Sequence, residues 1–331
     1  VGVLGTGIII RDFHMLTLQN NPHIQVVAAG NLHPESLERL VKRFDIPKAY
    51  TDFADMACDP EIDAVVIGLP NYLHAPVTIQ MLEAGKHVLC EKPMAMSVIE
   101  AEQMIGASQR TGRKLMIGYM WRFDKEILWL RDLVSSGKLG KIFKAKSHAV
   151  WLHAGPPLES WAVQHKFAGG GALADMGVHS IDTLRFVLGK RPTKVFANMG
   201  AHFEHIELDD TATLLLEFEE GMAALIEAGW YHLYADGLEG YTQIYGTKGY
   251  ARVLPSELRM HINGVWSVTK PDMPLRQQQC DLPMYQAMMD HFVDSILNDT
   301  EPSPGGIEGL WDMRVLEAAY RSAEINQAVT I

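Results

Sequence analysis

The stretch Val1-Gly2-Val3-Leu4-Gly5-Thr6-Gly7 runs from a short apolar segment into a Gly-x-Gly turn, and the helical spacing after it carries Phe13 and Leu16. A strand, a glycine turn and a helix in that order open a Rossmann fold. Gly5 permits the tight turn, and Gly7 lets the backbone close on a pyrophosphate, which the free N–H groups and dipole of the helix start attract. Gly5, Thr6, Gly7, Ile8 and Ile9 are therefore the first candidate cofactor-binding residues. Two positions depart from the fingerprint. Ile10 stands where Gly or Ala normally lets helix and strand approach, which predicts a helix standing off from the sheet. Asn31 ends the second strand, where an acidic residue would hold the ribose hydroxyls of NAD. Asn neither repels nor selects a 2′-phosphate, and His33 or Arg11 could reach one, so NAD and NADP both stay open as the cofactor.

Beyond the turn, Gln25 to Ala29, Ala64 to Leu69, His87 to Cys90 and Leu115 to Tyr119 read as further strands. Several are continuous apolar runs suited to burial on both faces, and amphipathic segments separate them, the pattern of a parallel sheet with crossover helices. After about Tyr119 the rhythm changes: a helix from Asp124 to Ser136, a strand from Ile142 to Trp151, a loop, and a helix from about Ala172 to Leu188. Strand-like segments come next at Thr193 to Ala201, Thr211 to Glu217, Ala223 to Trp230, Tyr241 to Tyr245 and Leu258 to Ile262, then helical patterns at Met284 to Leu297 and Ile307 to Gln327. The expected fold class is α/β: an N-terminal Rossmann domain over 1–119, and a C-terminal α+β domain over 120–331 with a large open, mainly antiparallel sheet, whose last helix can pack back on the first.

The 331 residues, 47% of them hydrophobic and 21% charged, provide enough apolar material for two cores. A net charge of −11 opposes nucleic-acid binding, and no apolar stretch reaches the roughly 18 residues that span a bilayer, so neither nucleic acid nor membrane is an expected partner. Cys58, Cys90 and Cys280 are few and scattered, which predicts reduced thiols in the cytoplasm. The many histidines show no ligand spacing with Cys or carboxylate, so no metal is expected.

Two motifs carry chemistry. Glu91-Lys92-Pro93 closes a buried strand, at the end of a parallel sheet where ligands bind. A lysine between apolar walls loses solvation, its pKa falls, and it can relay a proton near neutrality; the alternative is a surface lysine paired with Glu91. Farther on, Gly169-Gly170-Gly171 starts as a flexible run and leads into a helix on which Asp175, His179 and Asp182 share a face at i, i+4, i+7 spacing. An imidazole titrates near working pH and suits the removal of a hydroxyl proton. Asp175 can orient it or hold a neighbouring substrate hydroxyl, whereas Asp182 is expected to pair with Arg185.

With Gly5-Thr6-Gly7, Asn71-Tyr72-Leu73-His74, Glu91-Lys92-Pro93, the Gly169 to Asp182 segment, Ile244 to Gly249 and Val315 to Tyr320 in this order, the chain resembles the Gfo/Idh/MocA oxidoreductases over nearly its whole length. The family is named after glucose-fructose oxidoreductase and inositol dehydrogenase. The resemblance implies that Lys92 lies beside a nicotinamide, that Asp175 and His179 face it, and that His179 is the acid/base. It also implies that Leu69, Asn71, His74 and Glu91 line the cofactor, Glu91 near the nicotinamide ribose. The catalytic set is thus Lys92, Asp175 and His179.

A polyhydroxylated substrate needs hydrogen-bonding groups and an aromatic wall. The loop holding Trp151, His153, Trp161, His165 and Lys166 offers both, and Tyr119 and Arg122 follow the last Rossmann strand. Arg122, His153 and Trp161 are the expected substrate contacts, with Lys92, Asp175 and His179. The reading is oxidation of a secondary hydroxyl of a sugar, anhydrosugar or cyclitol, or reduction of the matching ketone. The competing readings are a non-catalytic sugar- or nucleotide-sensing protein and a reductase like the dihydrodiol dehydrogenases. An open sheet with one face to cover predicts a homodimer or homotetramer.

Overall fold

The computed structural model describes residues 1–152, 156–203, 206–232, 240–274 and 280–331. The chain divides into two compact units, one of 1–120 with 282–313 and one of 121–281 with 314–331.

In the first unit six parallel strands, β1 (Gly2–Leu4), β2 (Ala28–Gly30), β3 (Lys48–Tyr50), β4 (Ala64–Ile67), β5 (His87–Cys90) and β6 (Leu115–Ile117), lie in the order β3-β2-β1-β4-β5-β6. This is the Rossmann order, and the direction of winding reverses between β1 and β4, the switch point at which such sheets bind ligands. Val3, Leu4, Val65, Val66, Ile67, Val88, Leu89, Met116 and Ile117 are fully buried, as strands covered on both faces require. The strand β3 has no counterpart among the sequence-based expectations. Lys48-Ala49-Tyr50 sits at the edge of the sheet, half-buried or exposed, and so carries no apolar run to betray it.

The units differ from a division at residue 119 in one segment: 282–313, which takes in the penultimate helix and the start of the last one, groups with the first unit. The helix Leu282–Leu297 buries Met284, Tyr285, Met288, Met289 and Phe292 there, and its Asp290 accepts a hydrogen bond from Asn21 at 2.8 Å. The Pro304 carbonyl accepts the Ile117 N–H at 3.0 Å, extending the hydrogen bonding beyond β6.

Among the described residues the second unit is built on nine strands: β7 (Ile142–Leu152), β8 (Pro192–Gly200), β9 (Thr211–Phe218), β10 (Ala223–His232), β11 (Gly240–Gly246), β12 (Gly249–Val253), β13 (Glu257–Ile262), β14 (Val265–Thr269) and β15 (Val329–Thr330). Their order is β14-β13-β12-β11-β7-β10-β9-β8-β15, and of these strands only β7 and β10 are parallel neighbours. Strict alternation sorts the faces: Ala212, Leu214, Leu216 and Phe218 of β9 point into the core while Thr213, Leu215 and Glu217 point away. The helices Lys125–Ser135 and Val178–Leu188 cover the core face.

Candidate active site

In the first unit the glycine turn is built as the sequence suggests, with one unexpected compensation. Gly5 adopts φ +103°, and a Cβ there would stand 2.2 Å from the Gly68 carbonyl oxygen, so β1 and β4 can end side by side only with glycine at this position. A Cβ built on Gly7 would project into open space, which is where a pyrophosphate can approach the backbone. Ile10 does not force the helix away. It is fully buried, and the missing side chain of Gly68 makes its room: a Cβ on Gly68 would meet Ile10 Cγ1 at 2.7 Å. The third-glycine role has moved to the residue that follows β4. Ile8 is exposed and Ile9 half-exposed on the first helical turn, whose Arg11 N–H bonds back to the Gly7 carbonyl at 2.9 Å. Asn31 is buried at the end of β2, and its Nδ2 donates to Thr6 Oγ1 at 2.8 Å, tying the turn to the ribose side of the fingerprint. Arg11 spends its guanidinium on Asp12, at 2.5 and 2.9 Å, and Arg43 reaches the same carboxylate at 3.2 Å.

Around the end of β5, Lys92 is half-buried and joined to Pro93 by a cis peptide bond. The Glu91 carboxylate folds back under it: Oε2 accepts the Lys92 N–H at 3.2 Å, and Oε1 lies 2.7 Å from Nε2 of His14. His74, expected to line a cofactor, is buried instead, with Nδ1 2.8 Å from the Pro93 carbonyl and Nε2 2.8 Å from the Leu69 carbonyl. Its ring braces the loop after β4 against the loop after β5. Burial holds this imidazole below its ordinary pKa. Leu69 and Asn71 are buried beside it in sequence, with Asn71 opening a short helical turn.

The second unit holds Asp175 and His179. Their helix opens with a π-turn, Leu173–Gly177, and continues as the α-helix Val178–Leu188. The glycine run before it is not loose, contrary to expectation. Asp209 Oδ1 and Oδ2 accept the N–H groups of Gly171 and Leu173, each at 2.8 Å, and a Cβ on Gly171 would stand 2.0 Å from the Asp209 carbonyl oxygen. The Tyr320 hydroxyl donates to Asp209 at 2.9 Å and lies so close to Gly170 that no side chain fits there. Burial raises the Asp209 carboxyl, and burial with the adjacent Asp209 raises the Tyr320 phenol. Changing Tyr320 to Phe removes this donor from a buried carboxyl group. The expected loss is about 1–3 kcal/mol of stability, read as a lower denaturation midpoint, and an unchanged midpoint contradicts the clamp.

Asp175 accepts the indole N–H of Trp230 at 3.0 Å. His179 is 3% exposed and its ring stacks on Trp121 at 5.0 Å with an interplanar angle of 28°. Gly177 allows the helix to press on β10, since a Cβ there would lie 3.0 Å from that of Ala228.

Two expectations fail here for one reason. Arg122 is buried, and its guanidinium holds Asp182 through Nε at 3.0 and 2.9 Å and Nη2 at 2.5 Å, lying 4.9 Å from the centre of the Phe186 ring. Asp182 is thus a core partner of Arg122, not an exposed partner of Arg185, and Arg122 serves as a core ion pair instead of a substrate ligand. Trp161 stands 36% exposed on a short helical turn. His153 lies outside the described residues. Among the described residues no group of three or more His, Cys, Asp or Glu side chains could hold a metal ion.

Sequence reasoning missed His14, Trp121, Asp209, Trp230 and Tyr320. Each acts across a long sequence separation, 77 residues for His14 and Glu91 and 111 for Tyr320 and Asp209, so no local spacing announces it.

A doubly wound parallel sheet with a glycine turn at its switch point is an architecture that binds dinucleotides, and comparison with known proteins identifies the family. Residues 1–119 match the model of an oxidoreductase family with NAD-binding Rossmann fold, and residues 127–252 match the GFO/IDH/MocA C-terminal domain; the chain belongs to the GFO/IDH/MocA oxidoreductases. It is similar to the 1,5-anhydro-D-fructose reductase of Ensifer adhaerens, at 29% identity over 100% of this chain and 98% of the relative. The myo-inositol 2-dehydrogenase of Thermotoga maritima is 25% identical over 100% of this chain and 98% of its own length. Among solved structures, the aldose-aldose oxidoreductase from Caulobacter crescentus complexed with glycerol is similar at 29% identity, with a TM-score of 0.87 over 100% of this chain and 98% of that one.

Proposed function

We propose that the chain oxidises a secondary hydroxyl of a sugar, anhydrosugar or cyclitol, or reduces the matching ketone, with His179 as acid/base and Lys92 assisting. The observation that carries this reading is the mounting of His179: a buried imidazole, stacked on Trp121, on a helix whose start Asp209 clamps. A proton acceptor held this rigidly suits transfer at a fixed distance. The names of the relatives point to the same substrate class.

Bound nicotinamide cofactor supplies the hydride acceptor. The remaining chemistry falls to the chain. Nδ1 of His179 is buried in the protein, so Nε2 is the atom assigned to take the hydroxyl proton. The Lys92 ammonium donates to the same oxygen as charge develops on it. Asp175, steadied by the Trp230 indole, holds a neighbouring hydroxyl or orients the imidazole. Trp161 supplies an exposed apolar wall for the C–H face of a ring. Gly5, Thr6, Gly7, Ile8, Ile9, Asn31, Leu69, Asn71 and Glu91 form the cofactor set; His74 joins it as a brace.

The test is nicotinamide reduction on mixing the protein with a panel of cyclitols, aldoses, anhydrosugars and a dihydrodiol, with NAD and NADP in parallel. Reduction by at least one polyol is expected. No reduction across the panel favours the non-catalytic sensing role, and reduction by the dihydrodiol alone favours the rival reductase.

Cofactor choice rests on Asn31. Replacing it with Asp sets a carboxylate beside the position of a 2′-phosphate, and the ratio of kcat/KM for NAD over NADP should rise roughly ten-fold or more. An unchanged ratio places Asn31 away from the ribose.

We also propose that the protein is a cytoplasmic homodimer or homotetramer. The sheet face away from the helices presents Phe196 and Leu215 to solvent, 38% and 51% exposed, with Tyr245 and Tyr250 farther along. Light scattering after size exclusion is expected to give two or four chains; a monomer overturns the assembly.

A further inference from the structure

We propose that His14 is a positioning residue for the cofactor site: its imidazole fixes the Glu91 carboxylate, and through it the Lys92 backbone, in the arrangement that receives a nicotinamide ribose. This inference rests on the proposed function for the identity of the ligand, whereas its geometry lies wholly within the first unit.

His14 is the last residue of a π-turn, Ile10–His14, in the helix after the glycine turn, where Met15 N–H bonds to the Ile10 carbonyl. The extra residue in that turn rotates the succeeding helix relative to a regular one, and turns of this kind often mark functional sites. The His14 side chain is fully buried, set edge-on against Tyr285 with ring centroids 5.3 Å apart and planes at 90°. Nε2 lies 2.7 Å from Glu91 Oε1, and Nδ1 is buried with no hydrogen-bond partner among the described residues. An ionised carboxylate oxygen only accepts, so the ring nitrogen that faces it at this distance must carry a proton. The network therefore assigns the proton to Nε2, and His14 donates to Glu91.

Glu91 is constrained on two further sides. Its Oε2 accepts the Lys92 N–H at 3.2 Å, and a Cβ on Gly118 would stand 2.9 to 3.0 Å from the carboxylate atoms, so glycine at the end of β6 leaves the space Glu91 occupies. A carboxylate accepts about four hydrogen bonds, and two are taken here, which leaves lone pairs for a ribose hydroxyl. His14 thus touches neither cofactor nor substrate and acts only through Glu91.

The test is a double-mutant cycle on NADH affinity, read by nucleotide fluorescence, with thermal unfolding as a control on folding. His14→Leu removes the donor at similar volume and should weaken NADH binding roughly ten-fold, the loss expected for one hydrogen bond to a charged group. In a Glu91→Ala background the same change should weaken it less than about two-fold, because the group it acts on is gone. His14→Gln, which keeps a donor at similar reach, should restore most of the affinity. A His14→Leu effect of equal size in both backgrounds overturns the proposal, as does unchanged affinity in the wild-type background. If His14→Leu does not fold, His14→Gln decides: affinity near wild type supports the proposal, and affinity as weak as Glu91→Ala overturns it. Failure of the wild-type protein to bind NADH at all overturns the dinucleotide reading and this inference together, whereas wild-type binding with an indifferent His14 overturns this inference alone.

Discussion

Replacing Lys92 with Met is expected to lower kcat by about 10²–10⁴-fold while NAD(H) affinity changes less than about three-fold. The change removes the ammonium and keeps an unbranched side chain. The parts argued to hold the cofactor stay in place: the open Gly7 backbone, the Asn31–Thr6 bond and the His14–Glu91 pair. The Lys92 N–H to Glu91 is a backbone contact and survives the substitution. A loss confined to kcat identifies an interaction made chiefly in the transition state. A near-normal rate removes Lys92 from the mechanism, and a large loss of cofactor affinity reassigns it to binding.

His179→Ala is expected to cost a similar factor and, more tellingly, to change the shape of the pH profile. In the oxidative direction an imidazole works as a base only when it has shed its proton, so the wild-type rate should rise with pH through its titration and then level off. Without the imidazole that rise should flatten. The substitution also empties space beside Trp121, so a thermal midpoint measured alongside separates loss of packing from loss of a base. An unchanged pH profile gives the acid/base role to another group.

The first unit was legible in the sequence because its chemistry is local. Apolar runs such as Ala64-Val65-Val66-Ile67 are buried on both faces, and the glycine turn sits between a strand and a helix, so a few adjacent residues determine both. The same locality explains the failures. Ile10 looked like a defect because its compensating residue, Gly68, follows another strand, 58 residues on. The glycine run at 169–171 looked flexible because Asp209 and Tyr320, which require those glycines, come far later in the chain. Arg122 and Asp182, 60 residues apart, each looked free for another role until the fold paired them. The return of 282–313 to the first unit was legible only as an allowance for the last helix, since amphipathic helices do not declare which core they cover.

The candidate catalytic residue types stand out in the sequence, but the residues that hold them do not. Lys92 and His179 stand at recognisable places, a strand end and an early helical turn, whereas Trp121, Asp209 and His14 matter only through tertiary contact. Such supporting contacts fix a reactive group within the tolerance that transfer chemistry demands.

The central claim is that Lys92 and His179 serve one hydride-transfer event. Its most direct measurement is the rate of nicotinamide reduction by wild type, Lys92→Met, His179→Ala and the double variant, each mixed with NAD and the cyclitol, aldose and anhydrosugar panel. Rapid reduction by at least one polyol is expected in the wild type, with a double variant about as slow as the slower single one, since groups that act as a unit are not additive. Single-variant losses that multiply fully in the double variant, or either single variant reducing cofactor at the wild-type rate, would contradict the claim.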